Sequence, residues 1–220
     1  MEKCGVVLRN GLEIEYPNLS NEMSEFILDP QVWLDFDEEI AAIFHTHPNG
    51  EPFLSTADRI SQVQLGLPWV LYTNGERKVF EPVPRLIGRD FKYGEADCYA
   101  LVKDAYHLAG IELPVLQRGD IDDDAEQERI TEELVKVFTR VDDISNAEIG
   151  DVVVTALDGK ACHMAIYIGG DKFLHHAHNQ MSLRERLSEG WLKRIHSIWR
   201  HPDWIEECYE ALEQDFGDGN

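Results

Sequence analysis

Gly94-Glu95-Ala96-Asp97-Cys98-Tyr99-Ala100-Leu101-Val102-Lys103-Asp104-Ala105-Tyr106-His107-Leu108-Ala109-Gly110 is the stretch that decides how the second half of this 220-residue chain folds. Cys98, Leu101, Val102, Ala105, Tyr106 and Ala109 recur at helical spacing and define one apolar face, and Gly110 ends it. Asp97-Cys98 opens the helix, so the thiol sits at the positive end of the helix dipole, where thiolate is stabilised and a nearby imidazole can lower its pKa further. Packing alone would also explain a cysteine on that face. What lies downstream separates the two readings.

An acidic, helical segment runs to about Phe138, after which residues 151–156, 163–168 and 172–175 read as successive strands. Residues 195–199 add a strand and residues 204–212 a terminal helix. The second half is therefore helix first, sheet afterwards. His163 and His175 fall on the strands, where one imidazole can act as base to the thiol and the other can orient it. His163 shares a strand face with Ala165, whose small side chain leaves room beside the ring. His176 and His178 crowd the orienting position and stand as its neighbours in sequence.

Upstream, residues 3–8 read as a β-rich run, Asn10-Gly11 as a hairpin turn and residues 12–16 as the returning strand. Asp29-Pro30 starts a helix carrying Val32, Trp33 and Phe36, and residues 40–44 form a buried strand that delivers His45. Residues 55–65 are expected to be helical, and residues 69–73 and 78–80 flank an Asn74-Gly75 turn. Glu81-Pro82-Val83-Pro84 then interrupts regular structure, which divides the chain into a domain at 1–82, a linker at 83–90 and a domain at 91–220.

His45-Thr46-His47-Pro48 forms a second constellation. Two histidines at i and i+2 on a strand end point to one side, and Asp58, from the first turn of the next helix, can complete three ligands. A zinc ion so held keeps a fourth position for water and lowers that water's pKa to roughly 7. Ser55-Thr56-Ala57-Asp58 is equally a capping-box sequence, which explains the tetrapeptide without any metal.

The spacing from His45 and His47 to Ser55 and Asp58 resembles the JAMM metalloisopeptidases. That resemblance implies a mixed sheet with flanking helices, zinc held by His45, His47 and Asp58, Ser55 supporting the oxyanion, and a glutamate as general base. Glu2, in Glu2-Lys3-Cys4-Gly5, matches the family's glutamate; Glu13, Glu15 and Glu25 are the alternatives. Asp97-Cys98-Tyr99, Gly150-Asp151, His163-Met164-Ala165-Ile166-Tyr167-Ile168-Gly169 and Lys172-Phe173-Leu174-His175 resemble the NlpC-type cysteine peptidases in order. That likeness implies a papain-like α+β core acting on cell-wall stem peptides, with Cys98 as nucleophile, His163 as base and His175 as its orienter. Phe91 stands where that family often has an oxyanion-assisting tyrosine, and Tyr93 is the nearby substitute.

The two domains in this order resemble the tail tip assembly proteins of lambda-like long-tailed phages over nearly the whole chain. This implies other tail-tip proteins as partners, peptidoglycan stem peptides as substrate, and a virion protein made in the host cytoplasm that acts on the host wall. The rival readings are a tail-tip subunit with a structural role, and a cellular isopeptidase acting on a ubiquitin-like modifier.

Composition narrows the alternatives. Twenty Lys and Arg against 42 Asp and Glu give a formal charge of −22, so the average surface repels phosphate backbones and argues against nucleic acid as partner. The four cysteines lack paired spacing and predict neither a disulfide framework nor a zinc ribbon. No apolar run has the length of a membrane span and no export signal is evident, so delivery by a larger particle is expected.

Overall fold

The computed structural model describes residues 1–36, 39–48, 50–121, 123–213 and 215–216, so positions 217–220 of the expected second domain lie outside the described residues. The chain divides into two units, Met1–Pro84 and Arg85–Asn220.

In the first unit, β1 (Cys4–Leu8) turns through Asn10 and Gly11 into β2 (Glu13–Tyr16). Asp29 accepts from the Gln31 backbone N–H at the start of α1 (Gln31–Phe36), whose Val32 is buried. β3 (Ile40–Thr46) pairs antiparallel with β1. The helix α2 (Thr56–Leu65) then supplies the crossover needed to bring β4 (Trp69–Thr73) parallel to β3. β5 (Glu76–Phe80) returns across Asn74 and Gly75, at φ 50° and 80°, the pair of left-handed residues that a tight hairpin requires. The sheet runs β2-β1-β3-β4-β5 and is mixed. Cys4, Val6, Ile43, Trp69 and Leu71 are buried along one face. Gly5 is required on the other, because a Cβ there would lie 2.5 Å from the Phe44 ring and 2.1 Å from the Ile14 carbonyl oxygen.

The second unit begins earlier than expected. Leu86 is fully buried and its N–H donates to Asp215, while Arg89 Nη1 donates to Asp104 at 2.6 Å. Residues 85–90 are therefore part of the second unit rather than of a linker at 83–90. Pro82 and Pro84 break local periodicity, but where the chain then packs depends on partners distant in sequence.

α3 (Cys98–Leu108) starts at the N-cap Asp97, whose Oδ1 accepts from the Ala100 N–H. Its buried surface is wider than the single predicted face, since Tyr99, Ala100 and Leu108 are buried as well. α4 (Asp124–Leu134) follows, then β6 (Thr139–Val141), β7 (Val152–Leu157), β8 (Lys160–Tyr167), β9 (Lys172–His175), β10 (Leu183–Arg186), α5 (Glu189–Leu192) and β11 (Ile195–Arg200). The sheet order is β10-β9-β8-β7-β11-β6, antiparallel at every pairing. The terminal helix expected over 204–212 is a 3-10 turn at Glu206–Tyr209 leading into the short α6 (Glu210–Glu213). Both units are α+β.

Candidate functional site

Strand register builds the first cluster. Cys4 faces His45 across β1 and β3, and the pairing continues past the strand end, where Thr46 N–H donates to the Lys3 carbonyl and Lys3 N–H donates to Thr46 Oγ1. Continuing that register one residue further sets Glu2 beside His47. His45 lies within β3, which extends two residues beyond the predicted 40–44, and His47 follows on the same side. Asp58 arrives from the first turn of α2.

The three expected ligand atoms converge. His45 Nε2 lies 3.0 Å from His47 Nε2, and Asp58 Oδ2 lies 3.2 Å and 3.4 Å from those two nitrogens. All three residues are buried. Ligands about 2.0–2.2 Å from a tetrahedral zinc stand about 3.3–3.6 Å apart, so the two carboxylate–imidazole separations lie close to such edges, whereas the imidazole pair at 3.0 Å would have to open by a few tenths of an ångström. Tautomers sharpen the fit. His47 Nδ1 is 3.2 Å from the Glu51 carbonyl oxygen, which can only accept, so Nδ1 carries the proton and a neutral His47 presents a bare Nε2 to the Asp58 carboxylate. A neutral His45 can meet these acceptors by donating its Nε2–H to His47 Nε2 or to Asp58; with the His45 proton on Nδ1 instead, all three atoms are acceptors and suit a cation. Ser55 and Asp58 also form the capping box: Ser55 Oγ accepts from Asp58 N–H at 3.2 Å, and Asp58 Oδ2 accepts from Ser55 N–H at 2.9 Å. The cap and the cluster are one arrangement, in which α2 aims the carboxylate.

The electrostatics agree. Burial works against ionisation of Asp58, but hydrogen bonds from His45 and His47 hold its carboxyl well below the usual carboxylate range. Burial lowers His45, and for His47 the Asp58 and Glu2 carboxylates outweigh burial and raise it. Glu2 is buried, and burial pushes its carboxyl up to about 7. Its oxygen lies with a nitrogen of each histidine inside a 4.8 Å circle, so the residue expected as a base is also within ligand reach. Glu13 and Glu15 lie on β2, and Glu25 is linked to the cluster through Asn18, whose side-chain amide donates to the backbone carbonyls of Glu2 and Glu25.

Cys98 and His163 line one cavity of about 440 Å3 in the second unit. His163 Nε2 is 3.1 Å from His175 Nδ1. Ala165 faces His175 across β8 and β9, so His163 is the diagonal neighbour of His175 on the same sheet face. His175 is thus the histidine in contact with His163, whereas His176 and His178 pack their rings against Phe91, at 5.5 Å and 5.0 Å. Tyr93 lines the cavity with its hydroxyl accepting from Gln127 Nε2 at 3.1 Å.

The helix dipole does not activate the thiol at rest. Burial pushes Cys98 up to about 11, and the adjacent Asp97 carboxylate adds to the shift, outweighing the backbone of Met164 and Tyr99. Burial likewise drives His163 down to about 3, helped by His175 and His176. These shifts favour a neutral thiol beside a neutral imidazole at rest, where the helix dipole alone would favour thiolate. Two neighbours escaped the sequence reading. Trp191 packs its ring 5.9 Å from His163 and 5.2 Å from His175, and Glu185 Oε2 lies 3.1 Å from His175 Nε2. The alternation of Leu183 and Glu185 could have shown a shared face, but only pairing with β9 shows what they meet.

An antiparallel sheet preceded by a helix that carries a thiol, with paired imidazoles on adjacent strands, defines a class of cysteine hydrolase fold. The NlpC/P60 family pattern matches residues 88–200, just over half of the chain, and the chain belongs to the NlpC/P60 family. It is also 40% identical over 191 residues to tail tip assembly protein K of Escherichia phage lambda, covering 86% of this chain and 96% of that one. Among solved structures, a lipoprotein-like NLP/P60 protein of Staphylococcus aureus aligns at 22% identity over 52% of this chain and 37% of its own, with a TM-score of 0.39. An NlpC/P60 protein of Bacillus cereus aligns at 15% identity over 91% of this chain and 63% of its own, with a TM-score of 0.41. This chain thus spans less than two thirds of either solved chain. No described helix is long and apolar enough to cross a membrane.

Proposed function

We propose that the protein is a peptidoglycan endopeptidase of a phage tail tip, cutting stem peptides with Cys98, His163 and His175. The observation that carries this reading is the shared cavity of Cys98 and His163, with His163 held by His175. Membership of the NlpC/P60 family and the similarity to a tail tip assembly protein support it. Because thiol and imidazole rest neutral, the proton leaves Cys98 Sγ for His163 as sulfur attacks the scissile carbonyl carbon. His163 then returns that proton to the leaving amine nitrogen, and water releases the acyl group from sulfur. Backbone N–H groups of the first turn of α3 are the oxyanion donors closest in sequence to the nucleophile. Purified sacculi digested by the full chain should release muropeptide fragments detectable by mass spectrometry, and Cys98→Ala should release none. Equal fragments from both proteins would refute the proposal. Loss of infectivity in a Cys98→Ala phage would separate a catalytic from a structural tail-tip role.

A second reading is favoured by the convergence of His45 Nε2, His47 Nε2 and Asp58 Oδ2. The first unit would be a JAMM-type zinc peptidase, with these three residues as ligands, Glu2 holding the proton and Ser55 fixing Asp58 through the cap. Zinc at this point would supply a Lewis acid and a water of lowered pKa. Zinc content after dialysis is the test: the wild-type chain should keep the metal stoichiometrically, and His45→Ala and His47→Ala should lose it. Retention by both variants, or none in the wild type, would remove the zinc site.

A further inference from the structure

Three side chains climb diagonally across three adjacent strands. His163 on β8 meets His175 on β9 at 3.1 Å, and His175 Nε2 meets Glu185 Oε2 on β10 at 3.1 Å. Leu183 faces His175 directly across β9 and β10, which places Glu185 on the same sheet face one diagonal step away. The Glu185 oxygen lies off the line of a His175 Nε2–H bond, so the contact is an electrostatic one rather than an aligned hydrogen bond; a carboxylate this close still favours the tautomer with the proton on Nε2, which turns a bare Nδ1 to His163. His163 must then carry its own proton on Nε2, which leaves its Nδ1 as the basic atom for the thiol.

We propose that Glu185 is a positioning residue of the cysteine site, fixing the tautomers of both imidazoles and stabilising the positive charge that forms when His163 takes the Cys98 proton. This rests on the endopeptidase reading above. Glu185 itself exchanges no proton: the proton moves from Cys98 Sγ to His163 Nδ1 and then to the leaving nitrogen. The surroundings suit the role. Trp191 covers the imidazoles with an apolar ring, whereas Glu185 keeps 43% of its side chain exposed and stays solvated. Lys172, Arg184 and Arg186 line the same shallow opening as Glu185. His176 is the other titratable group whose charge both imidazoles feel. Asp97 and Arg118 lie at the thiol's end of the cavity.

The test is the tautomer itself. Long-range proton–nitrogen correlation spectra of the full chain labelled in its histidines should give the Nε2–H form for both His163 and His175. Glu185→Ala should move part of His175 to the Nδ1–H form and lower kcat on a stem peptide by about tenfold or more, with KM little changed. Glu185→Gln, whose amide oxygen can still accept, should keep the wild-type tautomer and recover part of kcat. Unchanged tautomers in Glu185→Ala overturn the proposal, whether or not kcat falls, because a fall alone would reflect distortion of β10. If wild type and Cys98→Ala both fail to cut stem peptide, the endopeptidase reading fails on its own, and the spectra still decide the role of Glu185.

Discussion

The two units assemble polar side chains in the same way, by strand register, and reach opposite results. In the first, Glu2, His45, His47 and Asp58 are all buried and turn their polar atoms toward one point. In the second, the imidazoles form a line that leads to an open cavity, whose wall His163 shares with the Cys98 thiol. A point of convergence concentrates negative potential and suits a cation. A line ending at a cavity suits the transfer of one proton to or from something that enters it. The difference lies in whether a helix delivers an anionic carboxylate, Asp58, or a neutral thiol, Cys98, to the strand histidines.

The largest expected effect separates the two chemistries. Cys98→Ala should lower stem-peptide cleavage by on the order of a thousandfold or more, whereas chelator treatment of the wild type should leave that cleavage unchanged. If the chelator abolishes it too, the two sites are not independent and the contrast collapses.

Acid should unfold the second unit by way of its neutral imidazole. The His163 pKa is about 3 when folded against an ordinary 6.5, so below pH 6.5 the unfolded chain binds a proton that the folded chain refuses. Stability is full above pH 6.5 and falls by about 1.4 kcal/mol per pH unit as pH drops toward 3. Denaturant titrations at pH 7, 6, 5 and 4 should show this slope in the wild type and a shallower one in His163→Gln; identical slopes would mean that His163 is not the group responsible.

Gly5→Ala tests the register of the first unit. The new methyl would meet Phe44 and Ile14, with an expected loss of about 1–3 kcal/mol in denaturant midpoint analysis. It should also displace Glu2 relative to His47, while the cysteine site keeps its activity. Ser55→Ala should have the smallest effect, about 1 kcal/mol for the lost cap. Zinc affinity should weaken with it, because the same cap aims Asp58; unchanged affinity in a calorimetric titration would show that the carboxylate is held by the histidines alone.

Much of this was legible from periodicity and spacing. β4 and β9 occupy their predicted residues, and the positions of Cys98, His163 and His175 followed from one apolar helix face and two short strands. β6 and β10 were missed because Thr139–Val141 is three residues long and Leu183–Arg186 carries three charged residues in four, as an edge strand does. Glu185 was invisible for the same reason, since its role depends on which strand β10 joins. The helix dipole at Cys98 can be read locally, whereas the desolvation that opposes it depends on neighbours such as Met164, which the fold brings in from a distant strand.

The neutral resting state of Cys98 also bears on how long the protein keeps. Peroxide and oxygen attack thiolates, and the half-buried Cys98 thiol, pushed up to about 11, carries very little thiolate at neutral pH. Its shelf life in air should therefore be long, with reactivity appearing only once a bound peptide draws the proton across to His163.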